Sequence, residues 1–238
     1  MKKNIIAIIP AYNEEGKIAK IVSGIIKENI ISKVIVIDDG STDNTKIEAE
    51  NAGATVISHA TNCGVGKALR TGFEYALKEN FDIIVVMGGD NQDNPSEIIR
   101  VIGPILEDNF DFVQGSRYMA GGERVNIPFF RWITTGLYSF IFKLIMRFPI
   151  SDGTNGFRAF KTSILKNQKI NLYQAWLDRY ELEPYLFYKV IELNYKITEA
   201  PVTKKYPLNK IGFSKMIPFF DWWSIFRPLI YLKLGLKK

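Results

Sequence analysis

Four stretches of the chain concentrate carboxylates, amides and glycines. They read Pro10-Ala11-Tyr12-Asn13-Glu14-Glu15, Asp38-Asp39-Gly40-Ser41-Thr42-Asp43, Gly88-Gly89-Asp90-Asn91-Gln92-Asp93 and Gln114-Gly115-Ser116-Arg117. Gathering such groups costs free energy unless a cation or a hydrogen-bonding ligand answers them. The chemistry they suit is the holding of a polar, charged ligand. Other chemistries fit poorly. The single cysteine, Cys63, excludes a disulfide framework and a multi-cysteine zinc site. The single histidine, His59, excludes His-rich metal centres and makes a Ser-His triad improbable.

Each stretch follows a short apolar run. The runs Ile5–Ile9, Val34–Ile37, Ala54–Ile57, Ile83–Met87 and Phe110–Val113 are rich in β-branched residues. Such runs suit strands buried on both faces, as in a parallel sheet. Helical windows separate them: Glu15–Glu28, Asn44–Ala52, Gly66–Glu79 and Pro95–Asp108. Asn94 before Pro95 is a good helix start. This alternation predicts an α/β fold with an open, mostly parallel sheet, whose ligands bind at the carboxyl ends of the strands.

The second half has a different character. With 47% apolar and 24% charged residues the chain is not disordered. Its charge is nonetheless uneven: residues 1–195 carry 22 Lys/Arg against 23 Asp/Glu, and residues 196–238 carry 9 against 2. A basic end suits an anionic partner, nucleic acid or lipid. Between 129 and 148, Arg131, Thr135, Ser139, Lys143 and Arg147 recur every four residues on one helical ridge, with aromatic and aliphatic residues over the rest. Residues 218–227 repeat the pattern with Asp221, Ser224 and Arg227, and Pro228 is expected to break or kink that helix. Paired aromatics with basic residues suit an interfacial membrane helix, and no apolar run is long enough to span. The apolar pentad near Met1 is too short for a signal sequence, so a cytoplasmic chain is expected.

The motifs PAYNEE, VIDDGSTDNT, NCGVGKALRTG, GGDNQDNP, VQGSRYMAGG and DGTNGFRAF occur in that order. Together they resemble a family 2 glycosyltransferase of GT-A fold, and in particular the polyprenol-phosphate (dolichol-phosphate) sugar synthases. The resemblance runs from residue 5 to about 215. It implies a glycosyltransferase domain over 1–215, with a nucleotide-sugar half (1–118) and an acceptor half (119–215). A basic, aromatic, membrane-associating tail (216–238) follows, with C-terminal interfacial amphipathic helices. The implied activity is inverting transfer of a sugar from a nucleoside-diphosphate sugar to a polyprenyl or dolichyl phosphate. The implied setting is the cytoplasmic face of a membrane, bound peripherally, with no nucleic-acid partner.

Site residues carry over position by position. Pro10, Tyr12, Glu14, Ile37, Asp39, Gly88, Gly89 and Asp90 fall at the family's nucleotide-binding positions. Asp90 and Gln92 match its ligands for a divalent cation, Mg²⁺ or Mn²⁺, which favours oxygen donors. Arg117 and Arg131 match its phosphate-contacting arginines and, with Asp90, its catalytic set; the arginine fork suits phosphate oxygens. Lys215, in Gly212-Phe213-Ser214-Lys215, matches a diphosphate-neutralising lysine, and Lys205 or Lys210 stands where the family has a late arginine. Asp152 and Arg158 fall in the acceptor-pocket loop, with Arg158 equally readable as the structural partner of Asp152. One departure is plain: the family's first acidic position at the fourth strand is Gly88 here. Losing that ligand leaves two readings: the ion is held more loosely, mainly by the donor diphosphate, or Asp93 compensates at a spacing that is not the family's.

Single residues have plainer readings. His59 reads as a satisfied structural histidine and Cys63 as an unreactive thiol. Gly64-Val65-Gly66-Lys67 lacks the spacing of a phosphate loop and reads as a close backbone approach near the nucleotide. Gly121-Gly122 reads as the hinge of a lid. Two alternatives remain: a transferase acting on a sugar hydroxyl, and a non-catalytic nucleotide-sugar-binding protein. The first needs a catalytic base, for which Asp152, Asp178, Glu181 and Glu183 are available.

Overall fold

The computed structural model describes residues 3–208 and 220–238. Its centre is a seven-stranded sheet in the order β3-β2-β1-β4-β7-β5-β8. The strands are β1 (Ile5–Ala11), β2 (Lys33–Asp38), β3 (Thr55–Ser58), β4 (Ile83–Val86), β5 (Phe112–Ser116), β7 (Arg158–Lys161) and β8 (Ile197–Pro201). All pairings are parallel except those of β7, which runs antiparallel between β4 and β5. A small second sheet joins β6 (Glu123–Val125) to β9 (Thr203–Lys205). The open, mostly parallel sheet flanked by helices is as expected.

The continuous apolar runs do line both faces. Along β1, Ile6 and Ile8 face one core while Ile5, Ala7 and Ile9 face the other. Helices α1 (Ile18–Lys27), α2 (Thr45–Asn51) and α4 (Ile98–Glu107) cover the second core. Helices α3 (Val65–Lys78), α5 (Phe129–Met146), α6 (Leu182–Glu192) and α7 (Phe220–Lys233) cover the first. Strand β3 is the exception: at the sheet edge, its residues are only half-buried or exposed. The Asn94 side chain accepts from the Ser96 amide as a cap should, although one turn of 3₁₀ helix precedes α4.

The glycines of 64–66 have a different purpose from the one expected. A Cβ on Gly66 would lie 2.1 Å from the Leu177 carbonyl oxygen, and one on Gly64 2.4 Å from that of Asp178. The close neighbour is the chain's own 177–179 segment, tied down by a 3.0 Å bond from the Lys67 amide to the Asp178 carbonyl. Gly66→Ala is therefore expected to lower the free energy of unfolding by about 1–3 kcal/mol. An unchanged urea midpoint would contradict the contact.

Helix α5 lies the opposite way round from a surface helix. Thr135, Ser139, Tyr138 and Phe142 are buried. Phe129, Phe130, Trp132, Leu137, Phe140 and Leu144 are exposed, Phe129 to 72%. The middle of the polar ridge, Thr135 and Ser139, turns inward while Lys143 and Arg147 are exposed; the hydroxyls meet other segments there, Thr135 Oγ1 at the Tyr118 hydroxyl and Ser139 Oγ accepting from the Gly153 amide.

Of the expected tail, the described residues 220–238 pack on the body of the protein. Leu229 and Leu232 of α7 join the first core, and Asp221 and Ser224 are buried. Pro228 does not end the helix, which continues to Lys233. The proline removes one backbone bond to the Ser224 carbonyl, and burial of Leu229 and Leu232 outweighs that loss. β7 and β8, from residues 119–215, complete the sheet begun by residues 1–118. The Gly121-Gly122 turn is packed rather than loose: a Cβ on Gly122 would meet the Ser116 oxygen at 2.5 Å, and β6 directly after it is held by β9.

Candidate functional site

The acidic stretches meet where β1, β2, β4 and β5 end. The turns after β1 and β2 are laced together. The Asn13 amide donates to Ser41 Oγ, Asn13 Oδ1 accepts from the Thr42 amide, and the Glu14 amide donates to Thr45 Oγ1 at 2.7 Å. Asn13 adopts φ 52°, which turns the chain sharply after Tyr12. Glu14 is buried and pairs with Lys17 Nζ at 2.9 Å. Pro10 and Tyr12 remain partly exposed beside it. Gly89 lets the loop after β4 pass close to β1, since a Cβ there would crowd Ala11 and Ile18 at 3.2 Å.

At two of the expected nucleotide positions the side chain is engaged within the protein. The Ile37 side chain lies inside the first core. The Asp39 carboxylate is occupied by the protein itself: Oδ1 faces His59 Nδ1 at 2.6 Å and accepts from the Cys63 amide, and Oδ2 accepts from the Gly64 amide at 2.7 Å. Asp39 thus satisfies donors just ahead of α3, where anionic groups are favoured. His59 is the satisfied structural histidine expected, with Nε2 3.0 Å from Thr71 Oγ1. The sequence signal for the Asp39 role is the short, glycine-ended NCG segment before α3.

After β4, Asp90 Oδ1 accepts from the Gln92 amide at 3.1 Å. Gln92 is buried, and its Oε1 has no hydrogen-bond partner among the described residues. A buried acceptor without a donor calls for an explanation. Oxygen donors from a carboxylate and an amide side by side are a set that a hard divalent cation suits. The sequence reading missed Lys204. Its Nζ lies 3.0 Å from Asp93 Oδ1, both groups largely buried. Desolvation alone would lower the Lys204 pKa; Asp93 and then Asp90 outweigh it and hold the ammonium above its ordinary value. Tyr206 and Arg117 act on the same ammonium, so one cluster joins the Asp90 loop to the arginine side. Lys205 is exposed at the end of β9, while Lys210 and Lys215 lie outside the described residues.

Arg117 is buried, not presented at a surface. Its Nε and Nη2 grip the two oxygens of Asp152 at 2.6 and 2.8 Å, Nη2 also reaches Thr154 Oγ1, and Nη1 donates to the Tyr206 hydroxyl at 2.6 Å. Against the cost of desolvation, Asp152 raises the Arg117 pKa well beyond its ordinary value, and Arg117 lowers that of Asp152. Asp152 is in turn set by Glu199, which accepts from the amides of Ser151 and Asp152. Arg131, in the first turn of α5, places its guanidinium over the Tyr206 ring, 5.4 Å from the centroid. The two arginines therefore converge on Tyr206, one at its hydroxyl and one at its face. Of the two, Arg131 is the half-buried one.

Asp152 and Arg158 brace this region rather than line a pocket, because both are buried and engaged. Arg158 does not pair with Asp152; it pairs with Glu183 at 3.1 Å and donates to the Asn155 carbonyl. Each of the four acids available as a catalytic base has its own arginine: Asp152 with Arg117, Asp178 with Arg70, Glu181 with Arg227 and Glu183 with Arg158.

Residues 6–168 match the family model described as glycosyl transferase family 2. The chain belongs to that family. Among relatives of the transferase, a UDP-N-acetylglucosamine–dolichyl-phosphate N-acetylglucosaminyltransferase of Methanococcus voltae is 34% identical over 254 residues, covering 98% of this chain and 97% of its own. A polyprenol monophosphomannose synthase of Mycolicibacterium smegmatis is 27% identical over 217 residues, covering 89% and 80%. The transferase also resembles a solved glucosyl-3-phosphoglycerate synthase from Mycobacterium tuberculosis, in complex with Mn²⁺, uridine diphosphate and glucosyl-3-phosphoglycerate. The TM-score is 0.71 at 20% identity, over 99% of this chain and 81% of that one. At that identity the likeness speaks for the fold alone.

Proposed function

We propose that this transferase moves a sugar from a nucleoside-diphosphate sugar to a polyprenyl phosphate, with inversion at the anomeric carbon. The observation that carries the choice of acceptor is that the four acids weighed as a catalytic base, Asp152, Asp178, Glu181 and Glu183, each pair with an arginine. A carboxylate engaged by an arginine is not free to take a proton from a hydroxyl. A sugar hydroxyl needs a base, whereas a phosphate monoester is already anionic near neutral pH. The relatives named for dolichyl-phosphate and polyprenol substrates support the same reading.

Pro10, Tyr12 and Glu14 hold the nucleoside, with Asp39 shaping the loop beneath it. Asp90 and Gln92 hold a divalent cation, Mg²⁺ or Mn²⁺, which neutralises charge on the departing diphosphate. Arg131 holds the acceptor phosphate, and Arg117 fixes Tyr206 behind it. A phosphate oxygen of the lipid attacks the anomeric carbon from the face opposite the diphosphate. The new C–O bond forms as the sugar–diphosphate C–O bond breaks, and the nucleoside diphosphate leaves. Lys215 is a further diphosphate contact in this reading.

The acceptor is a lipid, and the outward aromatic face of α5 suits a bilayer surface. No helix among the described residues is long and apolar enough to cross a membrane. In this reading the attachment is peripheral, on the cytoplasmic face, through α5. Phe140→Asp with Leu144→Asp is expected to weaken co-sedimentation with anionic liposomes by about tenfold or more, leaving nucleotide affinity unchanged. Equal sedimentation would remove α5 from the membrane.

The deciding experiment incubates the protein with a panel of nucleotide sugars, Mg²⁺ or Mn²⁺ and a short polyprenyl phosphate, read by mass spectrometry. A polyprenyl-phosphate sugar is the expected product. Donor turnover without that product would overturn the acceptor, and no turnover would favour a binding protein.

A further inference from the structure

The loop after β4 shows what stands in place of the acidic residue that Gly88 lacks. A Cβ on Gly88 would lie 3.2 Å from Asp90 Oδ1 and 3.7 Å from Asp93 Oδ2. The Asp93 carboxylate thus borders the space a side chain at 88 would enter, and its Oδ2 accepts from the Gly88 amide at 3.4 Å. Its Oδ1 faces Lys204 Nζ at 3.0 Å. The backbone fixes this meeting: Asp93 and Lys204 form an antiparallel bridge, and the Lys205 amide donates to the Gln92 carbonyl at 2.8 Å. Gln92, between the two acids, is 5% exposed with Oε1 unpartnered among the described residues. That orphaned acceptor independently points to a cation ligand.

We propose that Asp93 is the second carboxylate of the cation site in this chain. Lys204 is its resident counter-ion, which a divalent cation displaces and which then turns to the donor diphosphate. The inference rests on the reading of the Asp90 loop as the cation and diphosphate site. Its physical core is competition, because a buried ammonium and a metal ion both draw on one carboxylate. With Lys204 in place, Asp90, Asp93 and Lys204 carry a net charge of −1 instead of −2. A site of that charge binds a divalent cation weakly until the diphosphate adds its own charge, so the donor and the cation load together. Lys204 replaces part of the metal's work: on leaving Asp93 it gives the diphosphate a second positive charge.

The test measures Mn²⁺ binding to the full chain by electron paramagnetic resonance, without nucleotide. K204M is expected to bind Mn²⁺ at least about tenfold more tightly than the unaltered protein, and D93N at least about tenfold more weakly. K204R, which keeps the charge, should match the unaltered protein. The double variant D93N/K204M guards against misfolding of K204M, since it removes both buried charges together. It should recover part of the affinity lost in D93N. Affinity in K204M equal to or below that of the unaltered protein overturns the proposal, as does a double variant no tighter than D93N. D90N separates the two levels. Lost binding in D90N with unchanged K204M and D93N sinks only this inference, while unchanged binding in D90N sinks the cation reading itself.

Discussion

Replacing Arg117 with alanine is expected to cost about 3–5 kcal/mol of stability, because it leaves the carboxylate of Asp152 buried and unpaired. Asp152 is fully enclosed, and Arg117 contacts both of its oxygens. Loss of activity in this variant would therefore follow loss of fold, and the measurement is a urea titration rather than an assay. The pair also sets a pH dependence. The Asp152 pKa is lowered: desolvation opposes the charged form, and Arg117 outweighs it. A carboxylate lowered in the folded state contributes its full stabilisation above the unfolded value of about 3.9. That contribution is lost as pH falls through the lower, folded value. The stability gap between the protein and Asp152→Asn should hold steady from pH 8 to 5 and close only below about pH 4. A gap that closes near neutrality would contradict the assignment.

Replacing Arg131 with alanine is expected to lower turnover by about 10²–10³-fold, the magnitude typical of removing one charge-stabilising donor, with donor affinity and unfolding midpoint nearly unchanged. The guanidinium is half-buried at the start of α5, while that helix is anchored farther along by the buried Tyr138 and Phe142. The fold therefore survives its loss. Arg131→Lys keeps the charge but not the planar fork, so recovery should be partial. Equal losses in turnover and donor affinity would remove Arg131 from the acceptor side. The contrast between the two arginines is the practical consequence of burial: one residue type is expected to give a stability phenotype at 117 and a catalytic one at 131.

Much of this molecule was legible in the chain. Runs of β-branched residues such as Ile5–Ile9 admit few environments other than a strand covered on both sides. The polar stretch behind each run then falls at the sheet's carboxyl edge, so the Asp90 loop and the turn after β1 were located by order along the chain. The short strands β6 to β9 were not, because three to five residues of mixed polarity carry no readable period.

What only the tertiary structure decided is which charge meets which. Asp39 meets the amides at the start of α3, Arg158 pairs with Glu183 and not Asp152, and Lys204 reaches Asp93 from 111 residues away. Helix periodicity placed Thr135 and Ser139 on one ridge but did not say that these two face inward. Local patterns follow from backbone geometry and hydrophobicity, which act over a few neighbours. The pairing of buried charges depends on which distant segments the fold brings within a hydrogen bond of one another, and at that range sequence spacing carries no information.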